Sequence, residues 1–318
     1  MCINCLTADE RNLALQIIDR SVEAIEKRET IPYEADMLEL VYAGWISATH
    51  RGLKAAMEFI HQVSTRMTQD DLQVIMEVLR SETGPTMAKD MRDGLLSLFG
   101  KSYLNGKAIS LDQQLLDVSF SLRDEVSVNW LTDHHTYWIG NYFDKNISNA
   151  IAETVTSGLE QGLGRDEVGN LLRDFFDDYP GVPVKPQNYW SGLAGSAMNR
   201  SRNFGLIRGY KEVDIAELEI VALDDELTCP ICGEMNGKII PVGKAYGQVE
   251  RMIATENPED VRAVSPWLSF NDISGLDIGQ IMDKGMILPP FHFSCRCTVV
   301  SYFRKMRGDL SRHFRRAA

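Results

Sequence analysis

The sequence predicts a predominantly helical α+β protein, in which a helical N-terminal region is followed by a small mixed C-terminal lobe with a Cys/His cluster. Three observations carry that expectation. Apolar residues recur at helical spacing through the first two thirds of the chain, short β-branched runs replace them after about residue 216, and cysteines and a histidine gather in two stretches of that last third. At 318 residues the chain is long enough for a well-buried core and for two domains. The pattern divides it into a helical N-terminal region (1–110), a second helical region (111–215) and an α+β lobe with a basic tail (216–318).

The helical reading proceeds element by element. Leu15, Ile18, Val22 and Ile25 share one face of an N-terminal helix. Thr68 is a plausible N-cap ahead of Leu72, Ile75, Met76 and Leu79, where the same pattern repeats. SETGP (81–85) and KSYLNGKAIS (101–110) read as breaks. Helical patterning is then nearly continuous from Leu111 to Gly162, with Ile147, Ile151, Val155 and Leu159 at steps of four. Val168, Leu171, Leu172, Phe175 and Phe176 line a short helix that ends in the connector DDYPGVPVKPQ (177–187). Trp190, Leu193, Ala194, Ala197 and Phe204 form a last helical stripe before the period changes. LEIVALD (218–224), GKIIPV (237–242) and CTVVSYF (297–303) read as strands.

Charge narrows the function. With 33 basic and 45 acidic residues the net charge is −12, a field that repels a phosphate backbone unless basic residues are segregated. They are segregated in the tail, where Arg304, Lys305, Arg307, Arg312, Arg315 and Arg316 stand against Asp309. A solvated end is the plain reading, and contact with nucleic acid or an acidic partner is the sharper one. No apolar run approaches eighteen residues, so no membrane-spanning helix is expected. The first residues lack a basic stretch followed by an apolar core, so no signal peptide is expected, and the thiols should fold in a reducing cytoplasm.

The cysteines carry the chemistry. Cys229-Pro-Ile-Cys232-Gly is a C-x-x-C spacing that lets two thiolates reach one metal from a tight turn, with Pro230 fixing φ inside it and Gly233 free to adopt positive φ on leaving. About sixty residues on, PPFHFSCRC (289–297) supplies His292, Cys295 and Cys297. A structural zinc site takes four such ligands, commonly Cys₄ or Cys₃His, so one of the five candidates is surplus. Cys295 and Cys297 share a face if the chain there is extended, which favours Cys229, Cys232, Cys295 and Cys297, with His292 replacing one cysteine as the other set. The expectation is a zinc knuckle with about one structural zinc per chain. Cys2 and Cys5 repeat the spacing without a downstream partner pair and read as free thiols. His134 and His135 are adjacent, so on a helix they diverge by about 100° and read as surface or core residues rather than a second metal site. No H-E-x-x-H, phosphate-binding loop, nucleophile elbow or dinucleotide fingerprint is present. No catalytic or cofactor-binding residue is assigned, and the chain reads as a non-enzyme.

From about Ile147 to Tyr302 the sequence resembles the phage head morphogenesis proteins, the Mu F-like minor head proteins of tailed bacteriophages. The resemblance rests on GLEQGLGRDEVGNLLRDFF, on SAMNRSRNFGLIRGYKEV and above all on LDDELTCPICGEMNGKII followed by PPFHFSCRC. The matching positions are Asp225, Thr228, Cys232, Gly237, Pro290, His292, Cys295 and Arg296. Two departures stand out. The helix from Tyr189 has Ser191 or Ser196 where relatives often carry a Glu, and the segment Gly243 to Leu288 is long, a loop excursion with a short helix around Asn257 to Val264. The resemblance implies a minor capsid protein of a phage or prophage. Such a protein joins the prohead in few copies at the portal vertex, is made in the host cytoplasm, and influences assembly or DNA handling. Its implied partners are the portal protein and capsid or scaffold proteins, and tail 304–316 could face packaged DNA. The other classes open to the residues are a zinc-containing nuclease or toxin-like enzyme, and a zinc-ribbon nucleic-acid-binding protein.

Overall fold

A computed structural model of the chain describes residues 31–62, 68–112, 118–161, 163, 166–171, 184–223 and 225–302. The Leu15–Ile25 stripe, Cys2 and Cys5, most of the proline-rich connector and the basic tail lie outside the described residues. The fold is helical α+β, as the patterning required. Among the described residues four long helices come first: α1 (Glu34–Ile60), α2 (Gln69–Asp112), α3 (Leu122–Glu160) and α4 (Val184–Glu212). A three-stranded antiparallel sheet follows, with β1 (Glu217–Val221) between β2 (Ile239–Pro241) and β3 (Thr298–Tyr302). Five short helices decorate it: α5 (Pro230–Met235), α6 (Val242–Ile253), α7 (Val261–Val264), α8 (Phe270–Ile273) and α9 (Ile278–Asp283).

Helix α2 is central, packing against α1, α3 and α4, and one continuous core runs from Ile31 to Val299. Thr68 caps α2 as its sequence implied, accepting from the Asp71 amide while Asp71 accepts from the Thr68 amide at 2.7 Å. The expected breaks at 81–85 and 101–110 do not occur, because α2 runs unbroken through both. Pro85 has no N–H to offer the Ser81 carbonyl, and the Thr86 hydroxyl donates to it instead at 3.0 Å. The glycines serve helix contact rather than termination. At Gly106 a Cβ would strike the Arg202 carbonyl and at Gly205 the Tyr103 carbonyl, so α2 and α4 cross with their backbones nearly touching. Ser102 and Ser201 donate across that crossing to Met198 and Phe99 carbonyls at 3.0 and 2.9 Å.

Helix α3 begins at Leu122, later than the patterning from Leu111 implied, because Ser121 and Asp124 form a capping pair that fixes the start. Asp124 belongs to a buried ionic cluster. The Lys107 ammonium, itself without solvent exposure, donates to Asp124 (2.8 Å), Glu212 (3.0 Å) and the Ser119 carbonyl (2.7 Å). Tyr103 adds a 2.8 Å bond to Asp124. Burial alone would raise the Asp124 carboxyl, but donation from Lys107 and Ser121 outweighs it and holds the group below its ordinary value. The connector also ends earlier than expected, since 184–187 are already the first turn of α4.

His134 and His135 are core residues, as their adjacency favoured. Both are buried among Phe99, Trp130 and Trp138, and His134 Nε2 lies 3.2 Å from the buried Arg200 guanidinium. Arg200 can only donate, so His134 Nε2 accepts and the ring is neutral. The excursion 243–288 is mostly helical, with α6 to α9 in place of one short helix, and α7 covers only the last part of the expected span.

Candidate metal centre

The first half of the site is built on the turn after β1. Asp225 accepts the Leu227 amide at 3.0 Å, and Thr228 donates through its hydroxyl to the Leu223 carbonyl, so the chain reverses before Cys229. Cys229 then occupies the N-cap of α5, with Pro230 in the first helical turn where its missing N–H costs nothing. The Cys232 amide points back at Cys229 Sγ at 3.4 Å, a donor aimed at a sulfur. Gly233 lies within α5 and is not one of the positive-φ glycines; that conformation falls on Gly237, φ 75°, where the chain enters β2.

The second half arrives from the end of the excursion. Phe291 is buried and anchors the segment, and Ser294 turns it with φ 63°. His292 Nδ1 lies 2.7 Å from the Phe293 carbonyl and donates to it, which turns Nε2 toward the cysteines. That Nε2 lies 3.2 Å from Cys229 Sγ and 3.0 Å from Cys232 Sγ. Cys232 Sγ is 3.9 Å from Cys295 Sγ. The ligand atoms of Cys229, Cys232 and His292 all lie within 4.8 Å of one another, as do those of Cys232, Cys295 and Cys297. All five residues singled out in the sequence therefore meet, and Cys232 belongs to both triads. They are close enough to hold a metal ion.

Crowding shows in the acidities. Hydrogen bonding with Cys295 leads in raising the His292 imidazole, to about 9 despite partial burial. Cys295 is drawn well down, first by Cys232 and then by Cys297, while Cys232 is pushed up, first by its bond to Cys295. The thiols share negative charge instead of ionising together, as expected of anionic donors gathered for a cation.

Sequence reasoning overlooked the residues of α4 that hold the second half in place. Asn199 Nδ2 donates to the Cys295 and Cys297 carbonyls at 2.9 Å each, and Asn203 Oδ1 accepts from the Val299 amide at 3.2 Å. Ser196 Oγ accepts the Ser294 amide at 2.9 Å. The readable signal was Ser196, Asn199 and Asn203 at steps of three and four between buried apolar positions, a polar stripe facing inward. Phe293 packs so tightly on α4 that Gly192 has no room for a Cβ. No family model matches the chain, and no curated protein or solved structure matches it. Among the described residues, no helix is long and apolar enough to cross a membrane.

Proposed function

We propose that the chain is a minor capsid protein of a tailed phage or prophage, acting at the portal vertex during head assembly, with one structural zinc pinning its C-terminal lobe. The observation that supports this most is convergence. The residues that carry the head morphogenesis resemblance come from two stretches sixty residues apart, and Asp225, Thr228, Cys232, His292, Cys295 and Arg296 form one site. Zinc suits the donors. Tetrahedral zinc with Zn–S of about 2.3 Å and Zn–N of about 2.0 Å places sulfurs about 3.8 Å apart and nitrogen about 3.5 Å from sulfur. The Cys232–Cys295 separation of 3.9 Å and the His292 contacts of 3.0 and 3.2 Å lie close to those values. With four protein ligands the ion has no open position for a substrate, and its role is to add folding energy to a lobe that has three short strands among the described residues.

Co-expression with a candidate portal protein, followed by gel filtration and elemental analysis of the same fractions, tests both halves. Co-elution with about one zinc per chain is the expected result. Zinc without portal association would remove the capsid role and leave the knuckle. Nuclease activity that needs His292 while zinc is retained would replace the reading with an enzymatic one.

A further inference from the structure

Zinc takes four donors and the site offers five, which leaves one thiol beside the ion. His292 Nε2 lies 3.2 Å from Cys229 Sγ and 3.0 Å from Cys232 Sγ, and Cys295 Sγ stands 3.9 Å from Cys232 Sγ, so these four suit the tetrahedron. Cys297 is the fifth. Its sulfur lies within 4.8 Å of the Cys232 and Cys295 sulfurs. Its carbonyl accepts from Asn199 at 2.9 Å, so α4 holds the residue in place through its backbone.

A path leads to that thiol. Cys297 is buried, yet it lines a cavity of about 20 Å³ together with Thr228, Cys232, His292 and Arg296. Leu227 lines it too and is 59% exposed, so the cavity meets solvent. That volume holds one water-sized molecule, which lets one oxygen of a peroxide reach the sulfurs. Of the four described cysteines, the cavity touches Cys232 and Cys297 and neither Cys229 nor Cys295. The two come from opposite halves of the site, Cys232 from α5 and Cys297 from the residue before β3.

We propose that Cys297 is an oxidation site, at which hydrogen peroxide entering this cavity joins Cys297 to Cys232 as a disulfide and displaces the ion. Displacement of the ion rests on the zinc reading of the site, whereas the thiol pairing does not. The Cys297 sulfur attacks one peroxide oxygen. Its S–O bond forms as the O–O bond breaks, the thiol proton passes to the departing oxygen, and water leaves. Cys297 is then a sulfenic acid, oxidised by the two electrons that reduced the peroxide. Cys232 attacks the Cys297 sulfur next. The S–S bond forms, the S–O bond breaks, and the leaving hydroxide takes a proton from solvent to become water. Cys232 is the donor common to both triads, so its withdrawal dismantles the coordination set. The disulfide keeps α5 tied to the start of β3, and a dithiol reductant restores both thiols. The site thus holds zinc under reducing conditions and a cross-link under oxidising ones.

The reduced, zinc-loaded full chain and its Cys297→Ser variant, each treated with stoichiometric hydrogen peroxide, test this. A chromophoric chelator reads zinc release, and non-reducing peptide mapping reads the disulfides. The parent should release zinc and carry a Cys232–Cys297 cross-link, and the variant should release zinc about tenfold more slowly, since only metal-bound thiolates remain to react. Far-UV circular dichroism confirms that the variant is folded. Equal release from the two proteins overturns the proposal, as does a cross-link that joins Cys232 to Cys229 or Cys295 instead. A folded variant that cannot hold zinc makes Cys297 a ligand and overturns it too. Parent protein purified without zinc would remove the metal reading, and mapping would still decide the thiol pair: the Cys232–Cys297 bond supports it and its absence overturns it.

Discussion

Arg296 and Asp225 face each other through two parallel 2.6 Å contacts, joining the residue between Cys295 and Cys297 to the turn that precedes Cys229. The fork is bidentate, and it draws the Asp225 carboxyl down to about 2, first through its hydrogen bond from Arg296. The ion pair thus closes the same gap that the candidate metal ligands close. Arg296→Lys keeps the charge and loses the fork, and zinc affinity should fall about tenfold, as for other residues that orient ligands. Competition with a chromophoric chelator measures it. Unchanged affinity would mean the pair contributes nothing to the ligands' placement.

Cys232 is the donor common to both triads, whereas Cys229 and Cys297 each belong to one. Cys232→Ser should therefore abolish stoichiometric zinc, while Cys297→Ser should keep about one ion per chain on Cys229, Cys232, His292 and Cys295. Elemental analysis of both variants, purified without added metal, decides. Equal loss in the two would show that Cys297 is an obligatory ligand.

Removing the proposed zinc should loosen the lobe and spare the helices, since metal-binding energy is folding energy only where the ligands are. With a chelator present, amides of α5 and β3 should lose exchange protection before those of α2. Simultaneous loss throughout would show that the continuous core couples the two regions completely.

His134 and His135 respond to acid. Burial, reinforced by the Arg200 charge, depresses His134 to about 3, and burial followed by His134 and Arg200 depresses His135 as well. No carboxylate faces either ring among the described residues; their surroundings are Arg200, Phe99, Trp130 and Trp138. A base with a lowered folded pKa stabilises the fold above its unfolded value near 6.5, and that stability is lost as pH falls from 6.5 toward 3. His134 alone should cost about 2–3 kcal/mol by pH 4.5. Denaturant unfolding across this range should show the decline, and His134→Gln, which keeps an acceptor for Arg200, should flatten it. An unaltered slope in that variant would exclude His134 as the cause.

Lys107 and Asp124 are both fully buried. Lys107→Met leaves the buried Asp124 carboxylate with only the longer Arg208 contact at 3.6 Å as a cationic partner and should destabilise by about 3–5 kcal/mol, with Asp124→Asn recovering part of the loss in the double variant. Chemical denaturation of the three proteins checks this, and a single variant as stable as the parent would refute it.

The C-terminal lobe was legible because its signals are local. Short β-branched apolar runs marked β1 and β3, and Cys-x-x-Cys with His292, Cys295 and Cys297 marked the site. The breaks expected inside α2 came from treating Gly84, Pro85 and Gly106 as punctuation. Two of these residues have neighbours that explain them, and those neighbours are remote or easily passed over: Thr86 supplies the donor that Pro85 lacks, and Gly106 makes room for the Arg202 carbonyl on α4. The excursion's short helices were readable in part. Ser269 with Asp272, and Asp277 with Gln280, are capping boxes in plain sequence, but helices of four and six residues have too few apolar positions to show a period. The Asn199 and Asn203 contacts were beyond local reading, because their partners lie 94 to 98 residues downstream.

Those same contacts set an order of events on the ribosome. Helix α4 is synthesised with Asn199 and Asn203 ready to bind, but the carbonyls and amides they serve belong to Cys295, Cys297 and Val299. At about 5–20 residues per second the partners emerge roughly 5–20 seconds later. During that interval the polar seam of α4 stays hydrated and the growing chain has no finished surface there. Anything that must recognise the completed lobe has to wait for β3, so that surface becomes available only once β3 has been translated.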